Sequence, residues 1–565
     1  MLKKLILLAL SMFSLDTFAQ NYQWAQRLGG PGHDIGHSIK VDPLGNVYNT
    51  GHFENTVDFD PGPGTYNLTS AGGSDIFVSK LDVSGNFIWA KSFSGTSDET
   101  GLSLFVDAAG NVYTTGESLG TVDFDPGADT FNLISNGVSD IFISKLEPSG
   151  NFAWAKTIGG TSSEWGNSVV VDASGNIYIT GNFQDTVDFD PGPGVFTLKS
   201  SEEYDCFICK LNASGDFVWA KSLVGPDYSS GYSIALDVSG NIYTTGFFFS
   251  TVDFDPGPDS YTLTSAGGAD VFISKLDPSG NFIWAKAIGG TGYEWGQGRS
   301  CLAIDPGGNI YLTGSFQNTA DFDPGPDSYE LTSTGIDDIF ITKLDSSGNF
   351  VWAKRMGESG SGNGYSLALD NSNNIYVTGG FQGTIDFDPG PGQYLITSEG
   401  GSTDIFISKI DASGNFTWVK IIGAGFEDSG YSLAVDASGN VFTTGSFIGT
   451  VDFDPDAGIE NLTSAGANSY DIFILKLGMT TGIEKIIHNN NFSVYPNPSN
   501  DFITLQTRDE QADIFYNITD LTGKLILRGK INTLSTYIEI SGLSTGLYFV
   551  QVGESPQEFL KLMKL

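Results

Sequence analysis

Apolar and polar residues alternate in short runs along most of the chain, and Gly-, Asn- and Asp-rich turns separate the runs. Alternation with a period of two, bounded by such turns, predicts half-buried β-strands. In the first complete stretch, His37–Val41 reads as a strand A, and Asn46–Phe53 as a strand B after the turn Asp-Pro-Leu-Gly-Asn. Ile76–Leu81 then reads as a strand C, and Asn86–Lys91 as a strand D after Asp-Val-Ser-Gly-Asn, the same turn chemistry again.

This pattern recurs with a period of about 65 residues. Trp24, Trp89, Trp154, Trp219, Trp284, Trp352 and Trp418 mark it once per unit, and Asp-Phe-Asp-Pro marks it again from Asp58, Asp123, Asp188, Asp253, Asp321, Asp386 and Asp452. Four antiparallel strands per unit is the blade of a β-propeller. The ends of the repeat are complementary. Asn21–Arg27 is a strand D with no strand C before it, and Asp471–Leu477 is a strand C with no strand D after it. Pairing the two would satisfy both exposed edges. The expected fold is therefore all-β: a seven-bladed β-propeller closed by the N-terminal strand, followed by a small C-terminal β-sandwich. The strings Gly-Asn-(Val/Ile)-Tyr-x-Thr-Gly and Asp-(Ile/Val)-Phe-Ile-Ser-Lys-Leu-Asp resemble the bacterial β-propeller repeat family over roughly residues 21–478, which implies the fold and little about activity.

The register stops after Leu477. Residues 479–491 read as a polar linker, and residues 492–565 as a separate unit with alternating strands at Phe502–Gln506, Asp513–Ile518, Lys524–Leu527, Tyr537–Ile540 and Leu547–Val552. Val494-Tyr-Pro-Asn-Pro-Ser499, Ile518-Thr-Asp-Leu-Thr-Gly-Lys524, Leu543-Ser-Thr-Gly-Leu-Tyr-Phe-Val550 and the terminal Lys561-Leu-Met-Lys-Leu565 closely resemble the C-terminal sorting domain of the type IX secretion system. That resemblance implies passage through the outer-membrane translocon, with the secretion machinery as a partner of residues 492–565. It also implies release or surface attachment, and a Bacteroidota-type host. Residues 1–19 read as a secretory signal: Lys3 and Lys4, an apolar Leu5–Phe13 too short to span a membrane, and a small-residue site at Ala19. The propeller then occupies residues 20–478. No other apolar run is long enough for a transmembrane segment.

Seventy-three glycines and 16% charged residues fit a turn-rich β-protein. The formal charge is −39, and about −38 of it falls in residues 21–478. Nucleic acid and anionic membranes are excluded as natural partners, because the field repels phosphate. Cations, cationic peptides and neutral glycans remain open. The three cysteines form no disulfide framework, and Cys206 and Cys209 replace Ile and Ser of the repeated strand C.

Each B–C connection, typified by Thr56–Thr69, is expected to form a small extra hairpin that places Asp58 and Asp60 on one side and Phe59 on the other. Two neighbouring carboxylates suit calcium, a hard cation that takes oxygen ligands. The equivalent pairs are Asp123 and Asp125, Asp188 and Asp190, Asp253 and Asp255, Asp321 and Asp323, Asp386 and Asp388, and Asp452 and Asp454. The alternative is turn chemistry, with each Asp accepting backbone N–H bonds ahead of Pro-Gly. No other cofactor is indicated. The D–A loops break the repeat, and two of them carry Glu-Trp-Gly triplets: Glu164-Trp165 and Glu294-Trp295. Aromatics beside acids suit a platform for a sugar ring or a cationic group; the alternative is packing on the adjacent loop. Of the four histidines, His37 and His52 fall in strands, His33 lies near them and His488 lies in the linker. No nucleophile elbow, zinc-protease helix or P-loop is present. The leading expectation is a secreted or surface-displayed binding or adhesion module for a glycan or protein, against a carboxylate-based polysaccharide-active enzyme or a structural surface-layer component.

Overall fold

The computed structural model describes residues 20–296, 298–466, 468–479, 492–495, 499–507, 514–520, 524–531, 533–544, 546–552 and 558–564. The expected leader at residues 1–19 lies outside them, as do residues 480–491 of the expected linker at 479–491. The chain divides into two compact units, Met1–Met479 and Thr480–Leu565.

Among the described residues of the first unit, seven antiparallel sheets repeat one order of four strands. The first sheet runs Ile35–Val41, Val47–Asp58, Asn67–Leu81, Phe87–Gly95, so all four strands extend beyond a sequence-expected limit. The last sheet consists of Ser429–Val435, Val441–Phe447 and Asp471–Met479, and its fourth strand is Gln20–Leu28 from the other end of the chain. The two half-units expected to be complementary do pair, with Ala25 opposite Leu475 and Leu28 opposite Ile472.

Turn residues explain why the strands begin where they do. Asp42 accepts N–H bonds from Leu44 and Asn46, both at 2.9 Å, and Asp82 does the same for Ser84 and Asn86, so an Asx-type turn closes both A–B and C–D connections. The extra hairpin is also present in every unit, as in Thr186–Asp188 against Thr197–Lys199. Its first arm bridges to the end of the preceding strand D: Asp188 to Gly159, Asp253 to Val224, and Asp58 to Gly29.

The apolar core lies between successive sheets. One cluster joins Tyr113, Ile141 and Ile143 of the second sheet to Val169, Ile179 and Phe207 of the third. A corresponding cluster joins Phe442, Ile472 and Ile474 of the last sheet to Ile39, Phe77 and Leu81 of the first. Serines on strand A add polar links between neighbours. Ser38 Oγ accepts the Leu104 N–H, Ser103 Oγ that of Val169, Ser168 Oγ that of Ile234, Ser366 Oγ that of Leu433 and Ser432 Oγ that of Ile39, at 3.1–3.4 Å.

Strand A carries one unpaired residue where its register slips, such as His37 between Gly36 and Ser38 or Tyr232 between Gly231 and Ser233. In the fifth unit this bulge grows into a loop. Strand A there splits into Glu294–Trp295 and Leu302–Ile304, and the spacing from Trp284 to Trp352 is three residues longer than the usual one.

The second unit contains a three-stranded sheet of Phe492–Tyr495, Phe502–Thr507 and Ser535–Glu539. Beside it is a four-stranded sheet in the order Leu525–Ile531, Ile514–Asp520, Gly546–Val552, Glu558–Lys564. Ile503, Leu505 and Ile538 of the first sheet share a core with Ile518, Val550 and Leu562 of the second, which is sandwich packing.

Candidate functional site

The paired aspartates lie at the necks of the extra hairpins, and their oxygens are engaged by the chain itself. Asp188 Oδ1 accepts N–H bonds from Asp190 at 3.1 Å and Phe196 at 2.8 Å, and Asp190 Oδ1 accepts one from Gly192 at 2.8 Å. Asp58 and Asp60, Asp123 and Asp125, Asp253 and Asp255, Asp321 and Asp323, Asp386 and Asp388, and Asp452 and Asp454 repeat the arrangement. The intervening Phe faces the core, as expected; Phe189 packs 5.1 Å from Phe207. Among the described residues, no three His, Cys, Asp or Glu side chains stand close enough together to hold a metal ion.

The two Glu-Trp pairs divide. Glu164 and Glu294 are fully buried, and their Oε2 atoms accept the N–H of Gly160 at 3.0 Å and of Gly290 at 2.8 Å. Burial pushes their carboxyls up, to about 7 for Glu164 and about 8 for Glu294. They brace the D–A loops from inside, and so do not share a surface with their tryptophans.

Trp165 and Trp295 are brought onto one band of aromatic side chains. Trp165 stacks on Tyr204 at 5.4 Å and 15°, Tyr204 meets Tyr228 at 5.5 Å, and Tyr228 meets Phe247 at 5.3 Å. Phe247 then meets Trp295 edge-on at 4.8 Å, and Tyr293 stacks on Trp295 at 5.6 Å and 11°. Three consecutive units contribute: Trp165 and Tyr204 from the third, Tyr228 and Phe247 from the fourth, and Tyr293 and Trp295 from the fifth. Tyr293 is 44% exposed, while Trp165, Tyr204, Tyr228 and Trp295 are half-buried. The Trp165 indole N–H donates to Glu117 Oε2, which fixes the ring. Burial raises the Glu117 carboxyl, against the lowering effects of that bond and of Arg299. A small cavity of about 130 Å³ opens beside Trp295, lined also by Ser315, Asn363, Gly364 and Tyr365.

Arg299 is the residue that sequence reading missed. It sits on the fifth-unit loop, four positions from Trp295. Ser168 Oγ, two sheets away, donates to its carbonyl at 3.1 Å, and Ser300 O next to it accepts the Leu367 N–H of the following sheet at 2.9 Å. Its charge acts on Tyr232, Glu117 and Tyr431, and helps to depress His37 and His52, the latter to about 4 mainly through burial. His37 Nε2 and His52 Nδ1 lie 3.3 Å apart, paired with each other as neutral rings. The available signal was the stretched period in the fifth unit, which is where a regular repeat inserts something new.

Residues 493–563 match the secretion system C-terminal sorting domain, and residues 23–52 and 417–446 match the beta-propeller repeat. Residues 60–94, which open on a Pro-Gly-rich turn, match the sperm-tail PG-rich repeat. An uncharacterized WD repeat-containing protein of Acanthamoeba polyphaga mimivirus is 25% identical over 499 residues, covering 75% of this chain and 36% of that protein. Regulatory protein FlaEY of Caulobacter vibrioides is 23% identical over 234 residues, covering 41% of this chain and 24% of that protein. The chain thus spans only 36% and 24% of the length of these relatives. Among solved structures, a fungal alcohol oxidase of the AA5 family in complex with copper aligns over 96% of this chain and 99% of its own, at 12% identity and a TM-score of 0.38. PorZ, a surface component of the type-IX secretion system of Porphyromonas gingivalis, aligns over 96% and 100%, at 12% identity and a TM-score of 0.18. Scores this low carry no argument about chemistry. The matched segments identify the chain as an exported protein of β-propeller repeats, addressed by a type IX secretion system C-terminal sorting domain to the cell surface or the medium.

Proposed function

We propose that residues 20–478 form a closed seven-bladed propeller that serves as a glycan-binding module once exported. Support for closure comes from three links between the last and first sheets that repeat those between other neighbours: the shared core around Phe442 and Phe77, the Ser432–Ile39 bond, and the bridge from Gly29 to Asp58. The Trp24 indole N–H also donates to Val83 O at 3.2 Å, just as Trp89 donates to Pro148 O at 3.2 Å one unit later.

The observation that carries the binding reading is the aromatic band from Trp165 to Trp295. Aromatic faces stack on the apolar face of a pyranose, and the half-buried Glu117 carboxyl and the nearby cavity supply hydrogen-bonding groups beside it. Isothermal titration of the exported chain with cello-, xylo- and galacto-oligosaccharides, alongside tryptophan fluorescence, tests it. Saturable binding of at least one sugar, lost in Trp295→Ala with the fold intact by circular dichroism, is the expected result. Binding that survives both Trp295→Ala and Trp165→Ala, or no binding to any of the three series, overturns the reading.

A further inference from the structure

Two buried acids are brought together at the base of each loop that carries a tryptophan of the aromatic band. Asp140 opens strand C of the second sheet, and Glu164 lies in the D–A loop that follows that sheet. Asp270 of the fourth sheet and Glu294 of the next loop repeat the arrangement, and all four are buried. The backbone sets each pair side by side. The Glu164 N–H donates to Ser139 O at 3.0 Å, next to Asp140, and the Glu294 N–H to Ala269 O at 2.7 Å, next to Asp270. Two adjacent glycines at the end of strand D touch both acids. The Asp140 carboxyl fills the space where a Cβ on Gly159 would stand, and Gly160 donates its N–H to Glu164 Oε2. Gly289 and Gly290 do the same for Asp270 and Glu294.

These carboxyls have oxygens left over and no cation to face. Asp140 takes the Asn136 N–H and Asp270 the Ala266 N–H, while Glu164 Oε1, Glu294 Oε1 and Asp270 Oδ1 are buried without a hydrogen-bond partner. None of the four belongs to an ion pair among the described residues. The charges that act on the two glutamates are themselves acidic: Asp140 and Asp185 on Glu164, and Asp270 on Glu294. Two neighbouring buried carboxylates repel and stay unsatisfied, whereas a proton on one makes it a donor to the other. Elsewhere the repeat avoids the problem. Asp338 has the Arg355 guanidinium at 2.6 Å, and its loop carries Gly362 in place of the acid; the loop beside Asp205 carries Ser229.

We propose that Asp140 with Glu164, and Asp270 with Glu294, each share one proton that acts as a clasp for the aromatic band. Held, the proton joins the D–A loop to strand C and fixes Trp165, Tyr293 and Trp295; released, it leaves two anions that push the loop outward. Glu164 and Glu294 directly precede the two tryptophans, so a loop that moves carries a ring of the band with it. Burial raises all four carboxyls, Asp270 to about 6, Glu164 to about 7 and Glu294 to about 8. The clasp is therefore fully present below the ordinary carboxyl range near pH 4, and it is lost as pH rises through about 6 to 8. It is a property of the loops and stands whether or not the band takes a sugar.

Hydrogen exchange of the exported chain, read by mass spectrometry between about pH 5 and pH 8 and corrected for the intrinsic rate, tests the clasp against controls inside the repeat. The N–H groups of Glu164, Glu294, Ser229 and Gly362 make the same backbone bond in their loops, and only the first two sit on an acid pair. Protection of segments 160–166 and 290–296 is expected to fall by up to about tenfold per pH unit, while segments 225–231 and 358–364 keep theirs. Glu164→Gln and Glu294→Gln, whose amides donate at every pH, are each expected to remove the pH dependence of their own segment. Asp140→Asn and Asp270→Asn make the same test from strand C if a Gln variant fails to fold. Infrared spectra at about pH 6 report the proton itself, as a protonated-carboxyl band that weakens in the double Gln variant. Protection that follows the control segments, a pH dependence that survives the Gln and Asn substitutions, or a carboxyl band unchanged in the double variant overturns the proposal.

Discussion

Asp188 holds two backbone N–H groups on one oxygen. Asp188→Ala strands both donors at a half-buried hairpin neck, so a loss of about 1–3 kcal/mol in urea unfolding is expected. Because the same oxygen is engaged at every one of the seven necks, EGTA is expected to leave the unfolding temperature where calcium-containing buffer puts it. The buried acids of the D–A loops make a separate prediction about pH. Burial raises Asp34 to about 7, Glu99 to about 8, Glu164 to about 7, Glu294 to about 8 and Asp428 to about 7. In the unfolded chain these groups lose their protons near pH 4, so the native state binds more protons between about pH 4 and pH 8. Their contribution to stability is fully present below that range and is lost as pH rises through it. Asp82, Asp172 and Asp305 act the other way. Burial would raise them, but turn N–H groups and Asn side chains prevail and hold them low, so their contribution is lost in acid. Stability is therefore expected to peak near about pH 5 and to decline toward pH 8. Glu99→Gln should flatten the decline in a thermal series across that range; an unchanged slope would show that Glu99 ionises normally.

At the scale of the strand, the seven-fold period made the sheets legible from sequence, and the Asp-Phe-Asp-Pro marker made the extra hairpins legible. The two Glu-Trp-Gly triplets were legible as sites of variation, yet their inner geometry was not. Which side chain of Glu164-Trp165 turns inward depends on the Gly160 N–H that receives the carboxylate, a contact with no local sequence signal. Arg299 was hidden for a different reason: its neighbours come from units distant in sequence, and only their tertiary packing brings Ser168, Leu367 and Tyr232 to it. Strand B carries a glycine at the point where strand A bulges, as at Gly181. A Cβ there would overlap the Trp165 carbonyl oxygen, so the glycine is what lets the two backbones approach. Gly181→Ala is expected to be among the most destabilising single changes in the chain, by about 3 kcal/mol or more in urea unfolding, because the obstruction is backbone and cannot rotate away. Gly401→Ala gives a useful control of the opposite kind. The added methyl meets no atom within 4 Å, so its cost is confined to the left-handed backbone at φ 76°.

For the whole molecule, closure decides whether seven similar sheets behave as one body or as a stack with two raw ends. Strand Gln20–Leu28 contributes the fourth strand of the last sheet, and it buries Ala25 and Leu28 against the cores on either side. Without it, the edge of Asp471–Met479 would be exposed, and an unpaired apolar edge strand is a template for association. The same strand anchors Arg27, which pairs with the buried Asp471 at 2.7 Å, so its removal would also leave a carboxylate without its cation. A chain beginning after Leu28 is therefore expected to unfold at a clearly lower temperature and to associate in sedimentation experiments, whereas a chain lacking residues 492–565 keeps the stability of the first unit and loses only its route of export. A synthetic peptide of residues 20–28 added to the shortened chain provides the decisive arm. If the ends of the repeat meet, the peptide restores the unfolding temperature and the monomer in a concentration-dependent way. If the sheets form an open stack, the truncation costs no more than the loss of any edge strand, and the peptide restores nothing.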